Sequence, residues 1–119
     1  MDTQALGRFG EEQAARFLRR KGYRIVQRNF RCRFGEIDII ARQGDVLVFA
    51  EVKLRKDARF AEAREFVTAA KQRRILTAAQ LYLTRCSDEL QPRFDVIEVY
   101  APQGEGGPVR IEHIENAFM

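Results

Sequence analysis

The sequence predicts one α/β domain, a mixed β-sheet with helices packed on its faces, and three observations carry that prediction. Two long stretches with helical spacing, residues 4–21 and 62–86, are separated and followed by shorter β-prone runs. Within Gly35–Lys53, two apolar runs flank a polar Arg42-Gln43-Gly44-Asp45 break and read as a β-hairpin. The chain has 119 residues, 45% of them apolar, which is enough for one core and too few for two. The order α-β-β-β-α-β, then β, shows no internal repeat or linker, so residues 1–119 are expected to form a single domain.

Taken in order, the first helix places Glu11, Ala14, Ala15 and Leu18 on one stripe, and Gly22 stands where a left-handed cap ends a helix. Glu11 therefore lies on the face turned inward, although a carboxylate early in a helix is also favoured by the macrodipole. Tyr23 to Asn29 read as a strand, and Phe30 to Phe34 as a basic loop or an extension of it. The hairpin strands follow near 36–41 and 46–54, and residues 54–60 make a charged connection near the mouth of any site built there. In 62–86, Ile75, Ala79, Tyr82 and Cys86 form the core-facing row. Lys71 lies on the edge of that row, either turned to solvent or reaching a phosphate. Residues 93–100 and 109–114 are strands, with a Gly/Pro-rich loop between them, and the tail is expected to dock through Phe118. Asp95, set among apolar neighbours, is read as the partner of an arginine.

Charge narrows the function. The net charge is +4, and between Gln13 and Phe34 there is no acidic residue, only Arg16, Arg19, Arg20, Lys21, Arg24, Arg28, Arg31 and Arg33. Such one-sidedness suits a polyphosphate partner, and it also suits a solvated helix face. No apolar run approaches the roughly 20 residues needed to span a bilayer, and Met1-Asp2-Thr3-Gln4 has no signal-peptide character. A soluble, cytoplasmic protein without a membrane partner is the expectation. Cys32 and Cys86 form no CxxC pair and are expected to be free thiols, and a lone His113 leaves no basis for a zinc site.

The chemistry is concentrated in the hairpin. Asp38, Glu51 and Lys53 sit among Ile, Val, Leu and Phe, where a charge loses hydration and needs a partner or a metal. With Gln43 and Gly44 at the turn centre, Asp38 falls opposite Phe49 and Glu36 opposite Glu51. Asp38, Glu51 and Lys53 then share one face, the two carboxylates being diagonal neighbours. A one-residue slip would send Asp38 to the other face. The competing reading makes Asp38 a salt-bridge partner of Lys53, with Glu51 facing water.

Asp38 followed by Glu51-Val52-Lys53 resembles the PD-(D/E)xK nuclease motif, carried on a restriction-endonuclease-like α-β-β-β-α-β core with helices flanking a mixed sheet. The resemblance extends over Gly10-Glu11-x-x-Ala14, Arg28-Asn29, Gly35-Glu36-Ile37-Asp38, Phe49-x-Glu51-Val52-Lys53, Lys71, Arg93-Phe94-Asp95-Val96 and Asn116-Ala117-Phe118. By these the chain is identified as similar to the bacterial YraN family of predicted endonucleases, which resembles archaeal Holliday-junction resolvases. Ala50 replaces a larger β-branched residue, and the proline of the nominal motif is missing.

The resemblance implies a Mg²⁺- or Mn²⁺-dependent endonuclease acting on DNA, extending to branched or structured DNA. Asp38 and Glu51 are hard oxygen ligands suited to such a cation, with the Val52 carbonyl as a third. Lys53 supplies positive charge beside the reacting phosphate. Glu11 is a further catalytic candidate, as a helix glutamate is in the similar resolvases, and Glu36 either joins the site or pairs with an arginine. Arg28, Arg31, Arg33, Arg55 and Lys71 are the expected nucleic-acid contacts. The dimeric resolvases add a homodimer as an expectation, although no stretch of the sequence marks an interface. The second reading is a nucleic-acid-binding or assembly module that keeps the fold without efficient catalysis.

Overall fold

The computed structural model describes residues 3–55 and 67–118. Helix α1 (Thr3–Arg20) leads into three antiparallel neighbours, β1 (Arg24–Cys32), β2 (Gly35–Gln43) and β3 (Val46–Arg55). Helix α2 (Ala69–Leu83) then precedes β4 (Gln91–Tyr100) and β5 (Arg110–Ile114). The five strands lie in the sheet in sequence order. β3 and β4 are parallel and the other neighbours antiparallel, so the sheet is mixed as expected.

Each helix covers one face. α1 lays Ala14, Ala15 and Leu18 against Ile39, Ala41, Val48, Ala50, Ile97 and Val99. α2 lays Ile75, Ala78 and Ala79 against Phe30, Ile40, Leu47, Phe49, Phe94 and Val96. β3 and β4 are therefore buried on both sides, which is why Leu47-Val48-Phe49-Ala50 and Val96-Ile97 run without polar alternation.

The ends of the helices follow local chemistry. The Gly22 N–H donates to the Arg19 carbonyl and the Tyr23 N–H to that of Leu18, closing α1 with a Schellman motif, and Gly22 takes the positive φ of 92° that this cap requires. α2 starts later than residue 62: Val67 and Thr68 are not helical, and the Thr68 hydroxyl caps the helix by accepting from the Lys71 N–H at 3.1 Å. It also stops at Leu83 rather than 86, with Thr84 as its C-cap. Residues 56–60 of the charged connection and 62–66 of the expected helix lie outside the described residues. The Phe30–Phe34 segment proves to be a strand extension as far as Cys32, and Cys32 and Cys86 are free thiols.

The tail docks through Phe118. Its ring stacks on Phe94 with centroids 5.5 Å apart, and the Ala117 N–H donates to the Phe94 carbonyl at 2.7 Å. Phe118→Ala is expected to lower stability by about 3 kcal/mol in urea denaturation, the low end for a buried phenylalanine. An unchanged denaturation midpoint would show that the tail only rests on the sheet.

Candidate metal and phosphate site

The hairpin turns at Gly44-Asp45, not at Gln43-Gly44. Gln43 pairs with Val46, and Gly44 takes φ 61°, the positive φ that a two-residue hairpin loop demands. Ile40, not Asp38, therefore stands opposite Phe49. The register differs from expectation by two residues, which is one full side-chain period, so face assignments are kept within the ladder.

What the sequence does not reveal is where the ladder ends. The β2–β3 pairing stops at Ile39 and Ala50. Beyond it, the Val52 N–H donates to the Asp38 carboxylate (Oδ2) at 2.9 Å. Asp38 thus replaces a backbone acceptor where β2 leaves β3, and its side chain is held beside Glu51. Strict alternation also breaks there. Ile37 packs with the α2-side core, whereas Ile39 and Ala41 pack with the α1-side core.

Glu51 is 6% exposed. Its Oε1 accepts from Lys71 Nζ of α2 at 2.5 Å and lies 3.6 Å from Lys53 Nζ. Lys71 thus does not turn wholly to solvent: it holds Glu51 at the edge of the cleft. Burial, and then the neighbouring Glu51 charge, push the Asp38 carboxyl up to about 7, with the Glu11 charge adding to the rise against the bond from Val52. Burial lowers the Lys53 ammonium below the usual lysine range, Glu51 opposing and Lys71 reinforcing that shift. For Lys71, burial works downward, but the hydrogen bond it donates to Glu51 and the Glu51 charge outweigh it, and the ammonium is held above its usual value. The site is thus a buried and a half-buried carboxylate with two ammoniums, gathered beside a cleft of about 290 Å³, which Gly35, Glu36, Asp38, Glu51, Lys71 and Arg74 help to line.

Residues 10–99 match the family described as Uncharacterised protein family UPF0102. A UPF0102 protein of Symbiobacterium thermophilum is 51% identical over 117 residues, covering 98% of each chain. Those of Syntrophotalea carbinolica and Caldicellulosiruptor saccharolyticus are 50% and 42% identical, over 96% and 99% of this chain and 91% and 100% of their own lengths. The chain belongs to the UPF0102 family. This is the YraN family that the sequence resembles.

The UPF0102 match spans Asp38, Glu51, Lys53 and Lys71 but ends before β5 and Phe118, which complete the sheet edge and its core. Other expected site residues of this UPF0102 protein are more dispersed. Glu11 lies in a separate groove of about 700 Å³ between α1, β1 and the β4–β5 loop, acting on Asp38 through its charge alone among the interactions described. Glu36 is half exposed and pairs with Arg31 at 3.5 Å, as one of its two readings had it. Arg28 is drawn onto Glu12 at 2.8 Å, Arg33 lies over the Phe34 ring, and Arg55 is partly buried at the end of β3. Asp95 is fully buried and paired with Arg93, as expected. Among the described residues no three carboxylate, imidazole or thiol groups converge into a metal cage. None of the described helices is long and apolar enough to cross a membrane. Arg74 was missed in the sequence, although its place three residues after Lys71 on one helix gives it the same neighbourhood.

Proposed function

We propose that this UPF0102 protein is a metal-dependent endonuclease that hydrolyses DNA phosphodiester bonds. The observation that carries the reading is the placement of half-buried Asp38 beside buried Glu51, with Lys53 and Lys71 against Glu51, at an open cleft. Two adjacent carboxylates lacking hydration repel one another, and Asp38 carries that cost in its raised pKa. A hard divalent cation relieves the repulsion, so the donor set suits Mg²⁺ or Mn²⁺, with Asp38 and Glu51 as ligands and the Val52 carbonyl as a third oxygen. Such a cation, when bound, supplies charge neutralisation at the scissile phosphate and an acidified water.

The chain's own residues do the rest. The Val52 N–H fixes one Asp38 oxygen and so orients the carboxyl. Lys71 and Lys53 hold Glu51 in place, and their ammoniums present fixed positive charge to an entering phosphate. Lys53, its proton loosened by burial, stands ready to stabilise negative charge developing on the phosphate oxygens. Glu11, in its separate groove, acts through its charge on Asp38.

A panel of single-stranded, duplex, flap, fork and four-way DNA, run with Mg²⁺ and with Mn²⁺, tests the reading. The wild type is expected to cleave at least one substrate, and Lys53→Ala to cut at a rate about a hundredfold lower with binding retained. Equal cleavage by both proteins would mark a contaminant. The second reading, a binding module without efficient turnover, draws on the lysines that already neutralise Glu51. Binding without cleavage on every substrate would select it.

A further inference from the structure

The far end of α2 carries a second cationic feature. A pocket of about 220 Å³ opens between β1, β2 and the residues after α2, and Arg24, Arg42 and Arg85 all line it. Arg24 and Arg42 are directly paired across the β1–β2 ladder. Like charges at opposed positions destabilise a sheet, so this pair carries a local cost that a bound anion would relieve. Arg85 adds a third guanidinium and is steadied by the Phe30 ring, 5.5 Å from its centroid.

Acid does not balance the three. Asp88 is the one carboxylate of the pocket, and it takes Arg42 Nη1 at 2.8 Å from a largely exposed position. Arg42 Nε is in turn anchored on the Gly44 carbonyl at 2.9 Å, which aims its guanidinium. Neither Arg24 nor Arg85 has a carboxylate partner among the described residues. The walls include Tyr82 and the exposed Val26. Guanidiniums in a fixed array over a partly apolar floor bind phosphate well.

Position gives the pocket its meaning. Lys71 stands in the first turn of α2 and Arg85 just beyond its end. Fourteen residues at the helical rise put the pocket about 20 Å from the carboxylate cleft. Between the two, Phe34, Arg73, Arg74 and Thr77 border a shallow depression on the same helix. We propose that the Arg24/Arg42/Arg85 pocket is a distal phosphate-binding site for the backbone of the nucleic acid whose scissile bond lies at Asp38 and Glu51. The proposal rests on the nuclease reading for the identity of the polyphosphate, and it moves the main phosphate-binding surface away from Arg28 and Arg33. About 20 Å corresponds to roughly six base pairs of duplex at 3.4 Å per step.

The experiment is fluorescence anisotropy with a 20-base-pair duplex, without divalent metal, over a series of salt concentrations. Arg24→Gln/Arg85→Gln is compared with wild type, with the charge-retaining Arg24→Lys/Arg85→Lys, and with Asp38→Asn. The Gln pair is expected to bind about tenfold more weakly, with a salt slope smaller by about 1 for each phosphate that is no longer neutralised. The Lys pair is expected to keep most of the slope, and Asp38→Asn to bind at least as well as wild type. Because Gln removes a cross-strand repulsion, its melting temperature should not fall, which separates a weakened binding surface from a damaged fold. Equal affinity and slope in the wild type and the Gln pair would overturn the proposal, as would no binding by the wild type. Failure of the nuclease reading looks different: binding follows this pattern while no substrate is cleaved.

Discussion

Asp38→Asn is expected to abolish metal-dependent cleavage, by about a thousandfold, and at the same time to stabilise the metal-free protein. A thousandfold corresponds to about 4 kcal/mol, the scale of losing a charged ligand to a catalytic cation. The stabilisation follows from the same charge. Asp38 is pushed up to about 7 by burial and by Glu51, well above the ordinary aspartate value. A carboxyl with a raised folded pKa binds its proton more tightly in the native state than in the unfolded chain. Its contribution is therefore fully present below the ordinary value and lost as pH rises through about 7. Asparagine has no charge to lose, and its carbonyl still accepts from the Val52 N–H. The melting temperature of Asp38→Asn should exceed that of wild type by roughly 5 °C at pH 8 and by much less at pH 5. A lower melting temperature for the variant at pH 8, or undiminished cleavage, would remove Asp38 from the role assigned to it.

The largest loss of stability is expected from Asp95→Ala. Asp95 is fully buried and accepts from Arg93 Nε at 3.0 Å, Arg93 Nη2 at 2.8 Å and the Asn116 N–H at 3.0 Å. His113 Nε2 lies 2.7 Å from Oδ2, the oxygen that also accepts from Arg93 Nη2, and His113 Nδ1 lies 2.8 Å from Lys21 Nζ. An ammonium only donates, so Nδ1 accepts and Nε2 carries its hydrogen to Asp95. Burial alone raises this carboxyl, but His113, Arg93 and the Asn116 N–H together hold it below the ordinary value.

Removing one partner from a buried charge cluster costs about 3–5 kcal/mol, because the others stay buried without it. Among the described residues, Arg93 would keep Tyr23 and Glu115. Urea denaturation should show the loss, while cleavage per folded molecule stays unchanged, since none of the cluster's residues lines the cleft. In wild type the contribution of Asp95 is complete above the ordinary aspartate value and fades as pH falls through its depressed one. A loss below about 1 kcal/mol, the ordinary worth of a single hydrogen bond, would mean that Arg93 and His113 find other partners.

Much of this was legible from residue pattern. Hydrophobic periodicity located both helices, and the β-prone runs gave every strand, because each element buries a continuous stripe or a full strand. Asp38, Glu51 and Lys53 meet despite a wrong turn centre: a two-residue error preserves the side-chain period within the ladder, and beyond it the Val52 N–H holds the Asp38 carboxyl. The gathering of Lys71 onto Glu51 was not legible. It depends on how α2 crosses the sheet, which side-chain spacing within a single element does not set. Nor was the end of the β2–β3 ladder at Asp38, which is a tertiary substitution of side chain for backbone. The basic stretch suits a polyphosphate partner or a solvated face by charge alone, and the fold divides it: Arg28 turns to Glu12, while Arg24 meets Arg42 across the ladder.

The most direct test of a cation site between Asp38 and Glu51 is calorimetric titration of the DNA-free protein with Mn²⁺ at pH 8. One saturable site or more is expected for wild type, with binding lost in Asp38→Asn and in Glu51→Gln and retained in Asp95→Asn. Equal Mn²⁺ binding by wild type, Asp38→Asn and Glu51→Gln, or none by the wild type, would contradict the metal-dependent account.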